Sequence, residues 1–143
     1  MRCPNELASA FRERGLKVTP QRQLIFRLLD GNDSHPSAEA LYAIAAEQMP
    51  GISLRTVYQT LNDLAEMGEL QSLDLGTGAS RFDPNTGDHH HLVCTSCGAV
   101  RDVHVAGASG LAPEGGAQGF ALENAHVIFR GRCAECAAVP QRC

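Results

Sequence analysis

The first half of the chain sets apolar clusters at helical spacing between short polar breaks. From Glu6 to Arg14, Leu7, Ala10 and Phe11 share one face, and Gly15 ends the helix. Thr19-Pro20 predicts a helix start, with Thr19 as N-cap and Pro20 in the first turn. Leu24, Ile25, Leu28 and Leu29 then point inward, and Gly31-Asn32-Asp33 stops the helix. His35-Pro36-Ser37 opens the next one, whose Ala40, Leu41, Ile44 and Ala45 are expected to face the core. After a turn at Met49-Pro50-Gly51, Ser53 caps a helix running from Leu54 to Met67 and ended by Gly68. Val57, Leu61 and Leu64 form its buried face. Arg55, Thr56, Gln59 and Thr60 fall on the opposite side, with Tyr58 at the margin.

The period then shortens. Leu70 to Leu75 and Ser80 to Asp83 read as short strands around the turn Gly76-Thr77-Gly78. Helices followed by a β-hairpin make a winged helix-turn-helix, and the polar face of the Leu54 to Met67 helix is then the surface for the major groove. An ordinary amphipathic helix has the same pattern. Pro84 to Gly87 reads as a linker between a first domain over residues 1–83 and a second over 88–143. In the second, His89 to Val93, Ala99 to Val105 and Ala125 to Phe129 read as strands, and the Gly- and Ala-rich stretch Ala106 to Gly119 holds at most a short helix. The fold class is α+β, a winged helix followed by a small α/β domain.

The second domain carries the densest chemistry. Asp88 to Asp102 reads DHHHLVCTSCGAVRD. Cys94 and Cys97 form a CxxC, and Cys133 and Cys136 form another, with 35 residues between the pairs. Two such pairs supply four thiolates to one tetrahedral structural zinc. A pair of disulfides or redox motifs is the alternative. His89 and His91 are two apart, so on a strand they share a face, and His90 takes the other. Three histidines beside Asp88 point to metal chemistry beyond the thiolate site, against the plainer reading of a solvated strand edge.

Composition narrows the class. Hydrophobic residues make up 43% and charged residues 20%, which suits a soluble protein. No apolar run approaches the ~20 residues that span a bilayer, and the N-terminus lacks the apolar core of a signal peptide. Cysteines in CxxC spacing beside histidines fit a reducing compartment, so a cytoplasmic protein without membrane contact is expected. Cys3 and Cys143 receive no role. The net charge of −4 runs against nucleic-acid binding, but Arg2, Arg12, Arg14, Lys17, Arg22 and Arg27 face only Glu6 and Glu13. That stretch is a basic patch suited to phosphates, with Arg22 as one expected contact.

Four segments together resemble the ferric uptake regulator superfamily: Val18-Thr-Pro-Gln-Arg22, Ser53 to Leu61 with its Arg-Thr-Val-Tyr core, Asp88 to Gly98, and Gly131-Arg-Cys-Ala-Glu-Cys136. The resemblance implies a homodimeric, metal-dependent repressor, not an enzyme. Its winged helix would bind a palindromic double-stranded operator through Arg55, Thr56, Tyr58 and Gln59, and its second domain would dimerise. It also implies a regulatory site on His35, Asp83, His89, His91 and Asp102, holding Fe(II) or Mn(II), beside structural zinc. Aspartate at position 102 resembles the peroxide-sensing branch, in which iron-dependent oxidation of a ligand histidine releases DNA. A further site of the family would fall on Asp88, His90, Glu114 and His126. Here His126 precedes Cys133 by seven residues where many relatives have eight, a shift that turns a strand residue to the other face.

Three readings compete with peroxide sensing. Within the superfamily, iron, zinc, manganese or nickel uptake regulation would use the same ligands. A small zinc metalloenzyme built on His89, His91 and Asp83 would need a general base and an open coordination position. A zinc-ribbon interaction module would leave the five N/O ligand candidates without a task.

Overall fold

The computed structural model describes residues 1–138, and the helical spacing above translates into helices whose ends are set by local caps. In order they are α1 (Pro4–Glu13), α2 (Pro20–Leu29), α3 (Ala38–Gln48) and α4 (Leu54–Glu66). Thr19 Oγ1 accepts from Arg22 N–H at 3.3 Å, Ser37 Oγ from Ala40 N–H at 3.1 Å, and Ser53 Oγ from Thr56 N–H at 3.1 Å. Each hydroxyl satisfies an amide that the helix start leaves without a partner. Thr19→Ala is therefore expected to lower the unfolding free energy by ~1 kcal/mol in urea titrations.

The four helices enclose Leu7, Phe11, Leu24, Ile25, Phe26, Leu29, Leu41, Val57, Leu61 and Leu64. Phe11 and Phe26 meet edge to face with centroids 4.9 Å apart. A hairpin of β1 (Gln71–Leu73) and β2 (Arg81–Asp83) follows, antiparallel with Ser72 opposite Phe82. Leu70 and Phe82 enter the same core, which fastens the wing to the helices.

Two expectations for this half change. Ala40 and Ile44 are exposed, Ile44 by 45%. The buried stripe of α3 is Ala38, Leu41 and Ala45, with Tyr42, Ala46 and Met49 partly buried beside it. A helix this rich in apolar residues offers two overlapping stripes, and packing against α2 and α4 selects one. Thr60 is fully buried, and its Oγ1 donates to Thr56 O at 2.7 Å, so it leaves the polar face of α4.

The chain divides into two compact units, Met1–Gly87 and Asp88 onward. The second contains β3 (His90–Cys94), β4 (Val100–Val103), a single 3-10 turn at Ala108–Gly110, β5 (Ile128–Gly131) and the short α5 (Ala134–Ala138). The strand order is β4-β3-β5, with β4 antiparallel and β5 parallel to the central β3. The last strand thus starts three residues later than the pattern around Ala125 predicts, and α5 carries no sequence signal of its own. Among the described residues no helix is long and apolar enough to cross a membrane. Cys143 lies outside the described residues.

Candidate metal centre and nucleic-acid interface

The turn between β3 and β4 and the end of β5 bring four sulfurs together. One ligand atom from each of Cys94, Cys97, Cys133 and Cys136 lies within 4.8 Å of the others. Cys97 Sγ and Cys133 Sγ are 3.8 Å apart. Sulfurs at about 2.3 Å from a central zinc stand about 3.8 Å apart along a tetrahedral edge, so the cluster fits that ion. The Cys133 N–H points at Cys94 Sγ from 3.3 Å. That bond, followed by the one from the Cys97 amide, lowers the Cys94 thiol to about 6. Cys136 is pushed up to about 12, chiefly by its hydrogen bond with Cys133. Sulfurs this close cannot all ionise without a cation among them.

In the first unit, His35 and Asp83 form a buried pair, 1% and 2% exposed, with Nε2 to Oδ2 at 3.3 Å. His35 sits before Pro36 with φ of +49°, a left-handed backbone that is costly for a histidine. Its carbonyl accepts from Arg81 Nη1 at 3.1 Å, and Pro36 O accepts from Phe82 N–H at 3.0 Å. Those bonds to β2 hold the strained turn. His35 Nδ1 donates to Asp33 O at 2.9 Å, since a carbonyl only accepts. In its neutral form the imidazole then presents a lone pair on Nε2 to a carboxylate, and in its charged form a proton. Asp83 Oδ1 is fixed by Asn85 N–H at 2.8 Å, which keeps Oδ2 toward the ring.

In the second unit, His89 and His91 turn to one side, as their spacing predicts. Their Nε2 atoms are 3.0 Å apart and lie 3.5 and 3.7 Å from Asp102 Oδ1. Asp102 stands opposite His91 in the β3–β4 register. His91 is fully buried and His89 8% exposed, so the solvated strand edge is not what forms.

The set Asp88, His90, Glu114 and His126 does not gather in this way. His90 Nδ1 accepts from Val127 N–H at 3.0 Å, Glu114 is exposed, and His126 turns Nε2 to within 2.6 Å of His91 Nδ1. The His126 ring also lies stacked near His90, with centroids 6.1 Å apart.

On α4, Arg55 and Gln59 are exposed, Tyr58 is 39% exposed and Thr56 is half-buried. The Tyr58 hydroxyl donates to Glu39 Oε1 on α3, a partner the pattern did not suggest. That bond holds the Glu39 carboxyl below its usual range and raises the Tyr58 phenol. Arg22 is placed differently from the phosphate contact expected of it. Its Nη2 meets Asp63 Oδ2 at 2.6 Å, its guanidinium lies 5.2 Å from the Phe11 ring centroid, and its side chain is 11% exposed. It braces α2 against α4.

Comparison with known proteins adds to this geometry. A sequence model described as the ferric uptake regulator family matches residues 13–130. The peroxide-responsive repressor PerR of Staphylococcus epidermidis is 38% identical over 99 residues, covering 69% of this chain. The chain spans 66% of the length of that relative. The ferric uptake regulator Fur of Helicobacter pylori, described with three functional metal binding sites, superposes with TM-score 0.77 at 19% identity, over 94% of this chain and 91% of that one. A zinc-bound manganese uptake regulator superposes with TM-score 0.73 at 29% identity, over 92% of this chain and 99% of that one. Motifs, fold and matched length lead to one conclusion: the chain belongs to the ferric uptake regulator family.

Proposed function

We propose that this protein is a homodimeric, metal-dependent repressor of transcription that binds a palindromic operator and responds to peroxide. The observation that carries the reading is the pair of buried nitrogen and oxygen donor sets, His35 with Asp83 in the first unit and His89, His91 and Asp102 in the second. An ion that drew on both would have five N/O ligands, a set that suits Fe(II) or Mn(II) and contrasts with the thiolates that suit structural zinc. An ion that takes ligands from both units favours one angle between them, and a ligand shifts an equilibrium by its differential affinity for the two states. Bound iron(II) would activate peroxide, and a ligand ring would supply the two electrons that reduce it overall.

Residues 1–83 are the DNA-binding domain in this reading, 84–87 the linker and 88–143 the dimerisation domain. Leu92 and Phe129 are 43% and 46% exposed and stand opposite each other in the β3–β5 register, an apolar sheet face suited to a second copy. Arg55, Thr56, Tyr58 and Gln59 would meet the operator. Similarity to a peroxide-responsive repressor supports the peroxide branch. The solved manganese uptake regulator favours a second reading, metal sensing without peroxide.

The test is binding to a palindromic promoter fragment with Fe(II), Mn(II), Zn(II) or Ni(II), before and after peroxide. Arg55→Ala is expected to weaken operator binding by roughly 1–3 kcal/mol and to relax sequence preference at one base, with metal content unchanged. Binding as tight as the parent's would remove α4 from the groove. Loss of binding with peroxide in every metal form, or in none, would favour the second reading or a different sensor.

A further inference from the structure

His91 is a buried imidazole whose two ring nitrogens face different groups. Nε2 looks toward His89 Nε2 at 3.0 Å and Asp102 Oδ1 at 3.7 Å. Nδ1 looks the other way, to His126 Nε2 at 2.6 Å, with the two rings nearly perpendicular at 82°. The backbone fixes this meeting. His91 N–H donates to Val127 O at 3.1 Å, and Val127 N–H donates to His90 Nδ1 at 3.0 Å. The residue just before β5 is thus stitched to the first residues of β3 on both sides of the histidine pair.

We propose that His126 is a positioning residue: it accepts the Nδ1 hydrogen of His91 and so holds the His91 Nε2 lone pair ready for the regulatory metal. The inference rests on the reading of His91 as a ligand. A neutral imidazole carries one ring hydrogen, so a lone pair on Nε2 requires that hydrogen on Nδ1. The group facing Nδ1 must then accept. His126 does so through a bare Nε2, with its own hydrogen on Nδ1. Ligand histidines usually donate their second N–H to a carboxylate, a carbonyl or water, and the partner fixes both tautomer and ring orientation. An imidazole fills that place here. It does so because the two backbone bonds at Val127 bring the neighbouring His126 to the His91 ring.

Manganese affinity, read by electron paramagnetic resonance on zinc-loaded protein, tests the proposal in four forms: wild type, His126→Leu, His126→Gln and His91→Ala. His126→Leu is expected to weaken manganese binding about 10- to 100-fold, the range for loss of such a partner. His126→Gln retains an acceptor in its side-chain carbonyl and is expected to stay close to wild type. Equal losses in the two His126 variants would overturn the acceptor role. Wild-type affinity in His126→Leu, alongside lost binding in His91→Ala, would overturn the inference and leave the ligand reading standing. Unchanged affinity in His91→Ala would overturn both. Should His126→Leu not fold, nitrogen-15 spectra of the diamagnetic, zinc-filled wild type decide. The expected pattern is hydrogen on Nδ1 of both His91 and His126, and a hydrogen on His126 Nε2 overturns the proposal.

Discussion

Stripped of zinc by a strong chelator under reducing conditions, the unit from Asp88 onward is expected to unfold while the helices of the first unit persist. The reason is how little apolar material it buries. Among its described residues only Val93, Cys94 and Val100 are buried hydrophobics, against the aliphatic core around Leu41, Leu61 and Phe26 in the first unit. A core that small does not hold a domain without a staple. Structural zinc supplies roughly 10–16 kcal/mol of apparent binding free energy, and that energy becomes folding energy where no site exists in the unfolded chain. Cys136 makes the dependence plain, because α5 spans five residues and a helix that short does not persist unaided. Serine in place of Cys94, Cys97, Cys133 or Cys136 is expected to reproduce the loss. The measurements are zinc content, nitrogen-15 correlation spectra and sedimentation. Zinc-free protein that keeps second-unit resonances and sediments as a dimer would rule the assignment out.

One equivalent of peroxide is expected to add a single oxygen to a peptide containing His35 or His89 in iron-loaded protein, and to leave manganese- and zinc-loaded protein unchanged. In the net step one peroxide oxygen enters a ring C–H bond and the other leaves as water. The oxidised ring is a poorer ligand, so operator affinity should fall to that of the metal-free form. Couplings of this kind commonly amount to 5- to 150-fold. His35→Ala should begin at the low affinity and show no further response. The rival target is the cysteine cluster, since thiolates oxidise readily. Iron-independent disulfide formation with release of zinc would replace histidine chemistry with a thiol switch. Asp102→Glu separates the branches of the family. Undiminished peroxide sensitivity in that variant would detach the response from the aspartate.

What the sequence made legible was local or strictly spaced. Thr19 and Ser53 cap helices because a hydroxyl needs only the next turn to find its amide. The two CxxC pairs meet because four thiols at that spacing have one common geometry, and His89 and His91 share a side because strand alternation is fixed. What it hid depended on choices made by distant residues. Ile44 and Leu41 sit on overlapping stripes of α3, and only the packed neighbours decide which is covered. Thr60 and Arg22 read as polar surface, but one turns back to Thr56 O and the other finds Asp63, 41 residues away. The left-handed backbone at His35 has no residue signal, since glycine or asparagine is the usual mark of that conformation.

The segment carrying His126 is pinned at its far end, where Gly131 O accepts from Thr95 N–H at 2.7 Å and the Cys133 N–H meets Cys94 Sγ. Chain length between that anchor and the histidine therefore acts as a selector. A single inserted residue would displace the imidazole from its contact with His91 Nδ1. In evolutionary terms, a change of one codon in length, with every ligand residue kept, would be enough to take the supporting imidazole away from its ligand.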